Sequence, residues 1–122
     1  MSKQVLVVDD SKVVRTVCRR IMEALNYTVT EAEHGQDALD KCAAVKPDVV
    51  LLDWNMPVMD GMQFLKAFRA KAEFSNVPVI FCTTENDITK IQAAMLAGAN
   101  EYVMKPFDQE IISGKLQQLG LL

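Results

Sequence analysis

The sequence contains few cysteines and no long hydrophobic run. Its three cysteines are odd in number, and no two of them have the Cys-x-x-Cys spacing that is typical of metal and redox motifs. Cys18 and Cys82 fall within apolar segments, so we expect these and Cys42 to be buried free thiols of a reducing cytosol. No apolar run approaches the ~20 residues that a membrane-spanning helix needs, and residues 1–4 lead almost directly into a strand without a signal peptide. We therefore expect a soluble, cytoplasmic protein without a membrane partner.

The chain also lacks a strong charge of either sign. Its formal net charge is −3 and its pI is about 5.1, which disfavours a nucleic-acid-binding surface. Its 122 residues are near the commonest size of a single domain. Hydrophobic residues make up 50% and charged residues 24%, which is enough apolar material for a core without disulfides or structural metals.

Four short apolar runs each end in polar or charged side chains. The residues that follow them are Asp9 and Asp10, then Asp53, then Thr83 and Thr84, then Lys105 and Pro106. The run before Asp53 is apolar at consecutive positions, which is typical of a parallel strand covered on both faces. Because the carboxyl ends of parallel strands meet at the edge of the sheet where ligands bind, we expect these side chains to share one pocket.

Strand-like and helix-like segments alternate along the whole chain, without a linker, repeat or low-complexity stretch. The predicted strands span about 4–8, 28–32, 48–53, 77–82 and 101–104. The predicted helices span about 11–25, 35–45, 60–71, 86–97 and 108–120. Five such units predict a doubly wound α/β fold, with a five-stranded parallel sheet between two layers of helices. They use residues 1–122, so the sequence predicts a single domain with no output domain.

Helix one has an apolar and a basic face. Its predicted buried stripe is Val14, Val17, Cys18, Ile21 and Leu25. Its basic flank is Lys12, Arg15, Arg19 and Arg20. This flank is either a solvated face, partly balanced by the spacing of Arg19 and Glu23, or a docking surface.

The polar residues at the strand ends suit phosphoryl transfer to a carboxylate. Such a transfer needs a nucleophile held in line, a divalent cation near it, and a positive charge for the remaining phosphoryl oxygens. Asp53 is the candidate nucleophile because it ends the central strand. Asp9 and Asp10 are candidate oxygen ligands of Mg²⁺, while Thr83 and Lys105 can contact phosphoryl oxygens.

Each of these features has a simpler explanation when taken alone. Adjacent acids often only cap a helix, a single aspartate often only marks a strand end, and a Lys-Pro pair often only forms a loop. Four such features at one end of a sheet are poorly explained in this way. Calcium binding without chemistry is a further alternative, although no EF-hand spacing is present.

The combined pattern of Asp9-Asp10, Asp53, Thr83 and Lys105-Pro106-Phe107 resembles the receiver domain of two-component response regulators. The stretch from Asp53 to Gly61, DWNMPVMDG, is especially similar to the chemotaxis type. The resemblance covers essentially the whole chain and implies a flavodoxin-like sheet with strand order 2-1-3-4-5.

The resemblance also implies the chemistry of the site. A histidine kinase's phosphohistidine would donate its phosphoryl group to Asp53. Mg²⁺ would be bound by Asp10, Asp53 and the backbone carbonyl of Asn55, with Asp9 nearby or acting through water. The bond between Lys105 and Pro106 would be cis.

Further roles follow from the same resemblance. Thr83 and Tyr102 match the two residues of a conformational switch. In that switch, the threonine hydroxyl moves toward the phosphoryl group while the tyrosine ring turns inward. Without the resemblance, the sequence predicts only a half-buried strand aromatic at Tyr102. Asn55 and Glu85 match positions that tune dephosphorylation. In relatives, the face that binds the output partner includes Ile91, Tyr102, Met104 and Lys115. Gly114, inside helix five, either loosens this face or permits close packing.

The sequence therefore predicts a stand-alone, monomeric response regulator, which is not an enzyme except toward its own phosphoryl group. A histidine kinase or its phosphotransfer domain would phosphorylate it, and its affinity for an output target, such as a flagellar motor switch, would then change in chemotaxis or motility signalling. The alternative is a relay or phosphate-sink receiver that exchanges phosphate with a histidine phosphotransfer protein. A phosphatase of the haloacid dehalogenase type would need Asp-x-Asp after its first strand, where this chain has Asp9-Asp10-Ser11.

Overall fold

The computed structural model describes residues 3–54, 56, 58–84, 88–105 and 107–122. Its strands are β1 (Lys3–Val8), β2 (Tyr27–Ala32), β3 (Val49–Asp53), β4 (Val79–Thr83) and β5 (Glu101–Met104). Its α-helices are α1 (Lys12–Ala24), α2 (Gly35–Ala44), α3 (Gly61–Arg69), α4 (Ile88–Leu96) and α5 (Gln109–Gln118), and a short 3₁₀ helix (Ala72–Phe74) follows α3. The described bounds agree with the predicted ones to within two residues, and residues 86–87, where helix four was predicted to begin, lie outside the described residues.

The five strands form one parallel sheet in the order β2-β1-β3-β4-β5. The predicted doubly wound α/β fold and its strand order are therefore confirmed. β4 begins two residues later than expected because Pro78 has no N–H to donate; its carbonyl oxygen instead accepts a hydrogen bond from the Val50 N–H.

Alternate residues of the central strands supply two separate apolar clusters, one on each face of the sheet. On β1, Val5 and Val7 face the cluster that α1 and α5 complete, whereas Leu6 and Val8 face the cluster that α2, α3 and α4 complete. Successive side chains of a strand point to opposite faces. A strand with helices on both faces must therefore be apolar at every position, as the runs in the sequence indicated.

The buried face of α1 differs from the predicted stripe at two positions. Cys18, Ile21 and Met22 are buried, whereas Val17 is 43% exposed. With about 100° between successive residues, Val17 and Met22 lie on opposite sides of Cys18, and the buried face extends toward Met22 rather than toward Val17. Ser11 caps the helix by accepting a hydrogen bond from the Val14 N–H, which resolves the choice between Asp10 and Ser11.

All three cysteines are free and buried, as predicted. Burial raises the pKa of Cys18 to about 11, with a further contribution from Asp9. Burial also raises the pKa of Cys42 to about 12. Thiolates are the reactive form of cysteine, so these side chains are inert near neutral pH. Within the described ranges, no helix is both long enough and apolar enough to cross a membrane.

Side chains cap outward-facing backbone groups on both edge strands. On β2, the Ala32 carbonyl points toward β1. Because successive carbonyls of a strand alternate in direction, the Val29 and Glu31 carbonyls point away from the sheet. Arg19 donates to the Val29 carbonyl and Lys41 to the Glu31 carbonyl. On β5, the outward N–H of Tyr102 donates to Oε1 of Glu101 at 3.1 Å.

Candidate functional site

The carboxyl edge of the sheet brings the predicted site residues together. β3 ends at Asp53 and β4 at Thr83, while Asp9 and Lys105 directly follow β1 and β5. The strand order places β3 between β1 and β4. Asp53 therefore lies at the centre of this edge, with Asp9 on one side and Thr83 on the other.

Three carboxylates meet at this edge. Asp9, Asp10 and Asp53 each offer one oxygen, and these oxygens all lie within 4.8 Å of one another. Asp9 is 3% and Asp53 8% exposed, while Asp10 faces solvent. A set of carboxylate oxygens that is open on one side suits Mg²⁺, which binds a few carboxylates and keeps several waters.

Lys105 is the cation of this cluster. Its Nζ lies 2.6 Å from Oδ2 of Asp9 and 3.0 Å from Oδ1 of Asp53. Burial alone would lower the pKa of Lys105, but its hydrogen bonds to the two carboxylates outweigh burial and hold that pKa above its ordinary value. The ammonium group is therefore charged at any physiological pH and joins the ends of β1 and β3.

The surroundings of Asp53 disfavour the charged form of its carboxyl group. Burial raises the pKa of the Asp53 carboxyl above its ordinary value, and repulsion from Asp9 adds to the rise. Lys105 and the backbone N–H of Trp54 lower this pKa, but by less than burial and Asp9 raise it. Asp53 is thus a poorly solvated carboxylate beside one ammonium group.

The loop after Asp53 approaches it very closely. The Gly61 N–H donates to the Trp54 carbonyl at 3.0 Å, and a Cβ at Gly61 would lie 2.3 Å from the Asp53 carbonyl oxygen. Only glycine lets α3 begin this close to the strand end. Asp60 and Gln63 close a reciprocal capping box at the same point, so the sequence Asp60-Gly61 fixes α3 against Asp53.

Val58, in the same loop, has a φ of +66° and is 80% exposed. A β-branched residue in this region is strained by roughly 1–3 kcal/mol, whereas asparagine is several times more common there. We expect Val58→Asn to raise the free energy of unfolding by about 1 kcal/mol in urea titrations. Val45→Asn is the control, because Val45 is exposed at φ −137°; an equal gain in both variants would contradict the strain argument.

Several predicted roles fall outside the described residues. Asn55, Glu85 and Pro106 are not among them. The carbonyl ligand at Asn55, the roles of Asn55 and Glu85 in dephosphorylation, and the cis bond at Pro106 therefore stay predictions.

The predicted switch and output residues have contrasting exposures. Thr83 is 3% exposed, whereas Tyr102 is 36% and Met104 40% exposed; Ile91 and Lys115 are half-buried. Nζ of Lys115 lies 5.9 Å from the centroid of the Tyr102 ring and 3.3 Å from Oε1 of Glu101. Tyr102 is therefore in an outward position, and its role as a switch remains a prediction.

Half of the basic flank on α1 is bound within the protein. Arg15 and Arg19 both pair with Glu31 of β2, at 3.0 and 2.7 Å, and the predicted Arg19–Glu23 pair is present at 3.2 Å. Lys12 and Arg20 are exposed. Arg15 also reaches the Asp9 carbonyl, a contact that its spacing in the sequence did not reveal.

The sequence of this chain matches a known protein family. The profile of the response regulator receiver domain matches residues 5–117. The chain belongs to this family. As a receiver domain, it has the fold that the sequence resemblance implied, and the acidic cluster lies where the parallel strands of that fold end.

Relatives of this receiver include chemotaxis proteins. Chemotaxis protein CheY1 of Helicobacter pylori is 38% identical over 116 residues, which cover 93% of this chain and 94% of that protein. Among solved structures, chemotaxis protein CheY4 of Vibrio cholerae is 35% identical, with a TM-score of 0.92 over 97% of this chain and 98% of that one. The receiver domain therefore resembles CheY-type chemotaxis regulators over nearly its whole length.

A third relative bears on the metal. The receiver domain of the sensor histidine kinase PA1611 from Pseudomonas aeruginosa is 29% identical, with a TM-score of 0.88 and 97% coverage of both chains. That structure has a magnesium ion coordinated in its active-site cleft. The present receiver has the carboxylates for such an ion in Asp9, Asp10 and Asp53.

Proposed function

We propose that this receiver is a stand-alone response regulator that accepts a phosphoryl group on Asp53 from the phosphohistidine of a histidine kinase or its phosphotransfer domain. One observation carries the proposal: the Asp53 carboxylate lies in the acidic cluster, 3.0 Å from the Lys105 ammonium. The single domain of residues 1–122 would then act through binding alone, and the only reaction it would promote is the gain and loss of its own phosphoryl group.

The donor set supports a role for Mg²⁺. Asp10 and Asp53 would hold the ion, with Asp9 beside it and the Asn55 carbonyl as a further ligand. When bound, Mg²⁺ supplies positive charge that neutralises phosphoryl oxygens. The same ion would relieve the repulsion between the clustered carboxylates, of which Asp9 and Asp53 are buried.

Lys105 and Thr83 would hold the product. Lys105 now orients one oxygen of Asp53, which leaves the other oxygen to attack phosphorus. After transfer, Lys105 can exchange its carboxylate partner for a phosphoryl oxygen without leaving the pocket, because phosphorylation adds oxygens and negative charge at the same place. The Thr83 hydroxyl, at the end of the neighbouring strand, would donate to a second phosphoryl oxygen.

The proposed output is a change in affinity for a target protein, in chemotaxis or motility signalling. Drawing Thr83 toward the phosphoryl group would let Tyr102 turn from its present outward position. This movement would alter the face that contains Ile91, Tyr102, Met104 and Lys115. The similarity to chemotaxis proteins supports a chemotaxis pathway, for which we propose a flagellar motor switch as the kind of target.

A donor with a phosphorus–nitrogen bond tests the proposed reaction. Phosphoramidate contains the bond type of phosphohistidine, and we expect it to add one hydroxylamine-labile phosphoryl group per molecule, as measured by intact mass, only when Mg²⁺ is present. Asp10→Asn should slow this labelling by roughly tenfold or more, because it removes a ligand of the ion. Labelling that persists in excess EDTA would contradict the metal assignment, and the absence of any labelling would contradict the proposed function.

A further inference from the structure

The peptide bond between Asp9 and Asp10 is held by a side chain from α1. Nη1 of Arg15 donates to the carbonyl oxygen of Asp9 at 2.7 Å, while its Nε donates to Oε1 of Glu31 at 3.0 Å. The Arg15 side chain is only 14% exposed. One planar guanidinium group thus joins the loop after β1 to a side chain of β2.

Glu31 is itself fixed on several sides. Nε of Arg19 contacts its second oxygen at 2.7 Å, and Lys41 donates to its backbone carbonyl. Hydrogen bonds from Arg19 and Arg15 lower the pKa of Glu31 below its ordinary value, so this carboxylate is charged at neutral pH. Glu31 is therefore a rigid anchor for the Arg15 guanidinium.

Other contacts fix the remaining polar groups of Asp9. Its N–H donates to the Ala32 carbonyl at 3.0 Å. Its carboxylate accepts from the Ser11 N–H at 2.9 Å and from Lys105 at 2.6 Å. The carbonyl oxygen is the group that Arg15 holds. Because a peptide unit is planar, the direction of this carbonyl sets the direction in which the chain enters Asp10.

We propose that Arg15 is a positioning residue for the acid pair: through the Asp9 carbonyl it directs the Asp10 carboxylate toward the cation site. The inference rests on the proposed function, since it concerns the binding of Mg²⁺ by the same carboxylates. Arg15 touches neither the phosphoryl acceptor nor the ion in this role. It acts only through the peptide bond that joins the two acids.

The geometry of the guanidinium group explains why arginine suits this position. Its N–H groups form a rigid fork that reaches two acceptors in different directions, here a backbone carbonyl and a carboxylate. The lysine ammonium is a point charge on a flexible stem. Arg15→Lys would keep the charge and most of the stem but would lose one of the two contacts.

The experiment compares Arg15→Met with Arg19→Met. Both variants lose an ion pair with Glu31, but only Arg15 contacts the Asp9 carbonyl. Trp54, the one tryptophan in the sequence, adjoins Asp53 and packs against Phe81, so its fluorescence can report Mg²⁺ binding. We expect Arg15→Met to weaken Mg²⁺ binding roughly tenfold, as is typical when a residue that orients a metal's ligand is replaced. Arg19→Met should change the affinity by less than about twofold.

Urea unfolding of each variant separates positioning from general stabilisation. A loss of Mg²⁺ affinity confined to Arg15→Met, with comparable losses of stability in both variants, would support the inference. Equal affinities in wild type and Arg15→Met would overturn it.

If Arg15→Met does not fold, Arg15→Lys and Glu31→Gln decide the question, since each should weaken Mg²⁺ binding in the same direction. A wild-type protein with no saturable response to Mg²⁺ would overturn the proposed function as well, whereas a normal wild-type response with unaffected variants would overturn the inference alone.

Discussion

Asp53→Asn is expected to abolish labelling by acetyl phosphate and, at the same time, to make the protein harder to unfold. The amide cannot act as the nucleophile, so intact mass should show no phosphoryl group under conditions that label the wild type to completion. The fold should survive, because asparagine has nearly the same shape and its amide oxygen can still accept from Lys105.

The gain in stability follows from the direction of the Asp53 pKa. Burial and Asp9 raise that pKa in the folded protein, so the ionised carboxylate costs folding free energy at pH values above it. The cost is relieved as the pH falls through the folded pKa and the carboxyl becomes protonated. Asp53→Asn removes the charge at every pH. In buffer without divalent cations, its advantage in melting temperature should therefore be largest near neutral pH and should shrink on acidification.

Asp40→Asn is the matched control for this variant. Asp40 is an exposed acid on α2 whose contact is with Gln36. It should be labelled like the wild type and should show no comparable gain in stability. Complete labelling of Asp53→Asn would assign the acceptor to another residue, and a loss of stability in that variant would contradict the unfavourable burial of the carboxylate.

Gly61→Ala is expected to damage both the fold and the reaction. The new methyl group would lie 2.3 Å from the Asp53 carbonyl oxygen and 2.9 Å from the Phe81 ring. Either α3 or the end of β3 must move, and such overpacking typically costs about 1–3 kcal/mol. Because Asp53 would move with its own backbone, phosphorylation should slow by roughly tenfold to a hundredfold, as expected for a displacement near 1 Å.

Gly114→Ala makes the same chemical change where there is space. Apart from the adjacent residues and the backbone of α5 itself, no described residue has an atom within 4 Å of the Cβ that alanine would place at Gly114, so the suggestion that this glycine permits close packing was wrong. Alanine is favoured over glycine inside a helix by roughly 0.5–1 kcal/mol, so this variant should unfold at higher urea concentration and be phosphorylated normally. Similar losses in Gly61→Ala and Gly114→Ala would contradict the steric explanation.

The layers of the fold could be predicted because burial leaves a direct trace in the sequence. A strand between two helix layers is apolar at every position, and Val49–Leu52 show this pattern. The strand order leaves no such trace and was implied by the family resemblance. Val17 was placed in the core because its spacing fits a helical stripe, but spacing alone cannot show where the stripe ends.

The candidate site could be predicted only as far as strand ends determine it. Asp9, Asp53 and Lys105 meet because each directly follows or ends a parallel strand. The contact of Arg15 with the Asp9 carbonyl depends instead on how α1 packs on the sheet. The order of apolar and polar residues in the sequence does not specify that packing. The need for glycine at position 61 depends on the distance between two backbone segments, and no local pattern of residue types indicates that distance.

The side chains that cap the two edge strands affect how this protein behaves when it is crowded. An exposed strand edge is a template on which another polypeptide can add a strand, the first step toward fibrils. Here an incoming strand would have to displace Arg19 and Lys41 from the β2 carbonyls, or Glu101 from the Tyr102 N–H, before it could pair. Two of these groups are cations and one is an anion, so the incoming strand would also bury charge. We therefore expect the side chains that cap these two edges to disfavour edge-to-edge association at high concentration.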